Sequence, residues 1–167
     1  MAGRPTPKPS LYLETSVVSY LTAKPSRDVI VLAHQELTRQ WWEEDRDAYI
    51  LFVSPAVIAE ASRGDPAAVE RRLKALASAQ LLEASPEVEA LAGELHAALH
   101  MPEKATGDAA HVAYAVSYEL DYLLTWNCVH LANPHNLRLL ADLSRQRGLW
   151  LPIICTPAEM VERHREL

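Results

Sequence analysis

Glu14, Glu60, Asp108 and Asn127 lie far apart in the chain, yet each occupies a similar place in its local pattern. Glu14 stops the apolar run Leu11-Tyr12-Leu13 and is followed by two hydroxyl residues, Thr15 and Ser16. Asn127 closes a second such run, Asp121-Tyr122-Leu123-Leu124-Thr125-Trp126. Short apolar runs of this kind read as covered strands, and ligands of open α/β sheets bind beyond the carboxyl ends of strands. Glu60 sits on a short helix that leaves a strand, and Asp108 lies in the first turn of a helix crowded with small residues, Gly107-Asp108-Ala109-Ala110. His111 follows Asp108 on the same helical face and is read as a packed, hydrogen-bonded support rather than a ligand. Each acid also has an ordinary role open to it: a strand-end charge, a solvated helix face, or a favourable charge at a helix N-terminus. If the four meet, their carboxylates repel one another, and burying them unpaired is costly. A divalent cation removes that cost. Hard oxygen donors suit Mg²⁺ or Mn²⁺ better than zinc, and an open position on such an ion lowers the pKa of a water bound there for attack on phosphate. The chemistry predicted is metal-dependent phosphodiester cleavage.

The elements that must position these residues alternate along the chain. A first strand from Leu11 leads into a short helix over 15–22. Ser26 is expected to cap a long helix over 27–44 with Ile30, Ala33, Leu37 and Trp41 on its buried face. A strand over 49–53 follows, and Ser54-Pro55 opens a helix that stops at Gly64, with Val57, Ile58 and Ala61 facing the core. Asp65-Pro66 and Ser85-Pro86 start two more helices, with a short strand from Gln80 between them. After the helix that carries Asp108 and the strand ending at Asn127 come a loop over 128–136, a helix from about Leu137 to Arg147 ended by Gly148, and a proline-bearing edge strand over 151–155. Thr156-Pro157-Ala158-Glu159 is a capping box for a terminal helix. Strands alternating with helices predict an α/β fold with a mostly parallel central sheet covered on both faces.

Composition narrows the function classes. With 167 residues and 49% hydrophobic content the chain reads as one domain over 11–167, preceded by a loose, proline-rich arm over 1–10 that lacks the apolar core of a secretory signal. The apolar runs are too short and interrupted to span a membrane. Cys128 and Cys155 lack zinc-clip spacing and read as free thiols, in keeping with a cytoplasmic protein. A formal charge of −6 argues against a large basic nucleic-acid surface, but leaves room for a local basic track around a metal-charged centre. Five glycines, with no Walker-type loop, no Gly-x-Gly-x-x-Gly turn and no Gly-x-Ser-x-Gly elbow, speak against nucleotide binding and serine hydrolysis.

Leu11-Tyr12-Leu13-Glu14-Thr15-Ser16, Val57-Ile58-Ala59-Glu60, Gly107-Asp108-Ala109-Ala110-His111-Val112-Ala113 and Leu123-Leu124-Thr125-Trp126-Asn127, in that order, resemble the motifs of PIN-domain proteins. The branch they resemble most is the VapC-type toxins of bacterial toxin–antitoxin systems. The resemblance implies a three-layer α/β/α fold, a Mg²⁺ or Mn²⁺ centre and endoribonuclease activity. It also implies an RNA substrate, a small antitoxin protein as partner, and a homodimer. Carried over by position, Glu14 matches the family's first acid, usually aspartate, Glu60 the second and Asp108 the third. Asn127 stands where many members have a fourth acid, and Thr15 or Ser16 matches a hydroxyl that supports the centre. The longer Glu14 and the neutral Asn127 depart from the usual pattern, which favours the alternative of a non-catalytic PIN-fold module that binds RNA or protein.

Overall fold

The computed structural model describes residues 7–165, and residues 162–165 through their backbone only. The arm expected over 1–10 therefore falls largely outside the described residues. Its last part is tied down: the Lys8 ammonium donates to the Asp47 carbonyl at 2.6 Å, and Ser10 already belongs to the first strand.

Five strands form one all-parallel sheet: β1 (Ser10–Leu13), β2 (Ile50–Val53), β3 (Gln80–Leu81), β4 (Tyr122–Leu124) and β5 (Ile153–Cys155), in the spatial order β3-β2-β1-β4-β5. β1 is central, with Leu11 paired to Leu51 on one side and to Tyr122 on the other. Its residues Leu11, Tyr12 and Leu13 have no exposed surface, which accounts for an apolar run without alternation. The chain moves outward from β1 through β2 to β3, then returns to the far side of β1 to lay down β4 and β5. Right-handed crossovers put the helices of the two journeys on opposite faces of the sheet. α1 (Thr15–Thr22), α2 (Val29–Glu44), α3 (Pro55–Ala61) and α4 (Pro66–Leu76) pack together, while α5 (Pro86–Ala98) packs on α6 (Thr106–Ser117) and α7 (Pro134–Arg147). α8 (Pro157–Arg165) closes against α2. The three-layer α/β/α expectation holds. The reversal at β1 leaves a crevice beyond the carboxyl ends of β1 and β4, and α3 meets α6 across it.

Two helices start elsewhere than the sequence suggests. α2 begins at Val29, because Asp28 rather than Ser26 accepts from the free amides of Ile30 and Val31. Its buried positions are Gln35, Thr38 and Trp41, and Ile30 is 68% exposed. Gln35 is tolerated inside because it accepts from the Ser26 amide and donates to the Lys24 carbonyl. α7 starts at Pro134, three residues before Leu137, with the Asn133 side chain capping it. Gly148, in the left-handed conformation at φ 65°, ends it as expected. The capping box at α8 also forms: the Thr156 amide donates to the Glu159 carboxylate at 2.7 Å. Among the described residues, no helix is long and apolar enough to cross a membrane.

Candidate active site

The crevice is built from the end of β1 outward. The Glu14 amide donates to the Leu124 carbonyl and the Thr125 amide to the Cys155 carbonyl, so the sheet ladder fixes both residues just past their strands. Glu14 is also the N-cap of α1, its Oε1 accepting from the Ser16 amide at 3.1 Å. Its Oε2 accepts from the hydroxyls of Ser16 and of Thr125, the latter at 2.7 Å. Glu14 is buried, and these three donors satisfy its oxygens there. Ser16 Oγ accepts in turn from the Trp126 amide and Thr125 Oγ1 from the Asn127 amide, which locks the loop after β4 onto the acid after β1.

Glu60 arrives from the other side of the crevice, on α3, whose start is fixed by the Ser54 cap and Pro55. Its Oε2 accepts from the Thr15 hydroxyl and lies 3.2 Å from His111 Nε2. No hydrogen bond reaches Oε1 from any described residue, and a Cβ built on Gly107 would stand 3.0 Å from it. Glycine at this point is what lets the first turn of α6 come up against the carboxylate.

His111 is the residue around which the site closes. It is 1% exposed, and Nε2 faces both acids, 3.2 Å from Glu60 and 3.9 Å from Glu14. Its Nδ1 lies 2.8 Å from the Tyr12 hydroxyl, which lies 2.6 Å from Ser54 Oγ. Burial pulls the imidazole pKa down, but the Glu60 hydrogen bond and the charges of Glu14, Glu60 and Asp108 outweigh it, and the net direction is up. For Glu60, burial pushes the carboxyl up, and the His111 bond and charge, with Thr15 and Arg63, bring it below its ordinary value. Burial holds the Tyr12 phenol well above its usual range, so it keeps its proton.

Glu14, Glu60 and His111 offer ligating atoms that all lie within 4.8 Å of one another. Asp108 is placed in the first turn of α6, half-buried, beside Gly107; it acts on His111 through its charge but stands outside that compact group. Asn127 is half-buried at the crevice, and its Oδ1 accepts from the His130 amide at 3.0 Å, so its carbonyl is turned to the loop. Thr15 and Ser16 both support acids, Thr15 on Glu60 and Ser16 on Glu14. The donor set fits a divalent cation. Two carboxylates and a nearby third outnumber the single imidazole, and Glu60 Oε1 has no other partner among the described residues. The close approach at Gly107 agrees with the small residues that crowd this helix start in the sequence, whereas nothing there marks Tyr12, Ser54 or Thr125 for a role at the site. Tyr12 reads as an apolar strand residue and Ser54 as a simple cap; only a polar atom inside a fully covered strand hinted at a buried partner.

Beside the acids, Trp126 stacks on His34 with ring centroids 4.1 Å apart and planes at 16°, and Tyr20 meets both rings edge-on. All three are half-buried, so part of this aromatic group faces solvent next to Ser16.

The sequence matches the PIN domain over residues 11–127, which contain every residue of the site. No curated protein matches this chain in sequence. Among solved structures, the chain is similar to VapC20 of Mycobacterium tuberculosis, a sarcin–ricin loop cleaving toxin, at 15% identity and a TM-score of 0.55, covering 72% of this chain and 92% of that one. It is also similar to a chain of VapBC2 from Rickettsia felis, solved bound to a DNA fragment from their promoter, at 16% identity and a TM-score of 0.50, covering 87% and 97%. At these identities the likeness is one of fold.

Proposed function

This chain belongs to the PIN domain family, and on that premise we propose that it is a divalent-metal-dependent endoribonuclease, the toxin of a toxin–antitoxin pair. The observation that carries the reading is the meeting of Glu14 and Glu60 in one buried crevice, although 46 positions separate them in sequence. Two glutamates drawn together in this way, with Asp108 adding a third negative charge from α6, form a receptor for a cation. Mg²⁺ or Mn²⁺ held there activates a water and offsets charge on the phosphate. The protein's own part is positional. Ser16 and Thr125 hold Glu14, Thr15 holds Glu60, and Gly107 brings Asp108 to the rim. Asn127 orders the loop that carries Trp126, and the aromatic group of Tyr20, His34 and Trp126 offers unstacked bases a surface next to the acids. The reading places the protein in the cytoplasm with its RNA.

A protein partner has a place to sit. A groove of about 800 Å³ between α1, α2 and α4 has Leu21, Trp42 and Ala75 among its apolar lining and Arg46, Arg71 and Lys74 as its charged residues. Three cations and no carboxylate in the lining, on a chain of charge −6, suit an acidic amphipathic segment of an antitoxin. A homodimer belongs to the same reading and is checked by light scattering.

The test is cleavage of a mixed-sequence labelled RNA with Mn²⁺ or Mg²⁺, with chelator as control, by the native chain and by Glu60→Gln and Asp108→Asn. Cleavage that needs the ion and falls at least ~100-fold in both variants is expected. Folded protein inert on varied RNAs with either ion overturns it. A second reading, a PIN fold that binds without cleaving, draws on His111: one imidazolium between two glutamates relieves part of their repulsion with no ion at all. Calorimetry separates the two, since the binding module shows no saturable, carboxylate-dependent uptake of Mn²⁺.

A further inference from the structure

We propose that the cation site of this chain is a mixed nitrogen–oxygen site, in which Nε2 of His111 is a direct ligand beside Glu14 and Glu60 and selects a transition-metal ion such as Mn²⁺ over Mg²⁺. The inference rests on the nuclease reading of the same crevice and specifies which ion it takes.

Geometry is the first support. Two donors held at ~2.1 Å on neighbouring positions of an octahedral ion stand ~3.0 Å apart. His111 Nε2 and Glu60 Oε2 are already 3.2 Å apart. The Glu14 oxygen, at 3.9 Å from Nε2, needs to close by about an ångström. Asp108, the residue expected to supply a third oxygen, stands outside the compact group.

The second support is the ring's far side. A histidine that ligates a metal usually gives its other nitrogen to a hydrogen bond that fixes ring and tautomer. His111 has this: Nδ1 lies 2.8 Å from the Tyr12 hydroxyl, and the ring is buried, so Nε2 stays aimed at the acids. The hydroxyl pair of Tyr12 and Ser54 works in either direction. With Tyr12 donating to Nδ1, the proton sits on Nε2 and serves Glu60. With Nδ1–H donating to Tyr12 and Tyr12 donating to Ser54, Nε2 presents its lone pair to an ion. Neither state leaves Nδ1 or the phenol unpaired in the interior.

Charge is the third. Two carboxylates, a neutral imidazole and a divalent cation sum to zero in a crevice that buries Glu14 and His111. Mg²⁺ keeps to oxygen, whereas the first-row transition ions accept imidazole with an affinity that rises from Mn²⁺ to Cu²⁺, so Mn²⁺ marks the low end of the gain. The ring therefore lifts Mn²⁺ relative to Mg²⁺.

The test uses the whole chain, stripped with chelator and reloaded with Mn²⁺ alone. Pulsed electron paramagnetic resonance is expected to show one directly coordinated ¹⁴N, replaced by a ¹⁵N signature when histidine alone is labelled. Calorimetry is expected to show His111→Gln losing Mn²⁺ affinity by about 10–100-fold, with Mg²⁺ affinity changed far less. The labelling experiment needs no variant, so a His111 substitution that fails to fold does not block it. Bound Mn²⁺ with no nitrogen coupling overturns the inference and leaves the nuclease reading standing. Saturable Mg²⁺ binding without Mn²⁺ binding likewise overturns the inference alone, and absence of saturable binding of either ion overturns both.

Discussion

Thr125 Oγ1 and Glu14 Oε2 are 2.7 Å apart, so the residue after β4 holds in place the acid after β1. The same hydroxyl accepts from the Asn127 amide, which makes Thr125 a joint between the acid and the loop that carries Trp126. Thr125→Val keeps the shape and removes both bonds. We expect a loss of about 1–3 kcal/mol in urea unfolding, because a half-buried amide and a buried carboxylate each lose a partner. Mn²⁺ affinity should fall about 10-fold by calorimetry as Glu14 loosens. A variant as stable and as tight as the native chain contradicts this account.

Gly107 separates stability from function. A Cβ here meets Glu60 Oε1 at 3.0 Å, while Oε2 is pinned by Thr15 and His111, so the carboxylate cannot simply step aside. Alanine is the better helix former by about 1 kcal/mol, and α6 gains from it. Gly107→Ala is therefore expected to melt within a few degrees of the native chain, yet to bind Mn²⁺ about 10-fold more weakly. Equal metal binding in the two proteins shows that Glu60 relaxes freely.

Much of this layout was legible in the sequence, and the failures have physical causes. Alternating apolar runs and capped helices were enough for the parallel sheet, and Glu14 stood out because its carboxylate ends a run with no polar residue before it. Ile30 and Ala33 misled, since α2 buries Gln35 and Thr38 instead; hydropathy does not register that both have partners, Thr38 accepting from the Trp126 indole at 2.7 Å. Pro134 reads as a loop residue by its surroundings, although Asn133-Pro134 is a cap followed by the residue preferred at the first helical position. His111 reads from the sequence as support, because its importance depends on how α6 seats against β1 and α3. Local spacing says nothing of that. Tyr12 and Ser54 were invisible for the same reason.

The Glu60–His111 pair makes the metal-free protein pH-dependent. His111 is raised when folded, so its contribution is complete below the unfolded value of about 6.5 and is lost as pH climbs through the folded value. Glu60 is lowered when folded, so its contribution is present above the unfolded value of about 4.3 and is lost as pH falls through the folded one. Urea melts with chelator should therefore show a native-minus-Glu60→Gln stability difference that is largest at weakly acidic pH and shrinks on the alkaline side. Mn²⁺ affinity should move the opposite way, rising with pH as the proton leaves His111. A stability difference that keeps growing from pH 6 to above 8, on the order of the shift set by imidazole titration, is incompatible with the pairing.

The aromatic group gives the last expectation, directed at RNA rather than metal. Tyr20 meets the His34–Trp126 stack edge-on and is half-buried, so its removal takes away stacking surface without touching Glu14, Glu60 or His111. Stacking of a base on an aromatic ring contributes about 1–3 kcal/mol. Tyr20→Ala should accordingly raise KM for a single-stranded RNA by roughly 5- to 150-fold, leave Mn²⁺ affinity unchanged, and change kcat little, as expected when uniform binding is removed. A fall in kcat at constant KM instead assigns Tyr20 to positioning α1, and with it Thr15 and the Glu60 carboxylate that Thr15 holds.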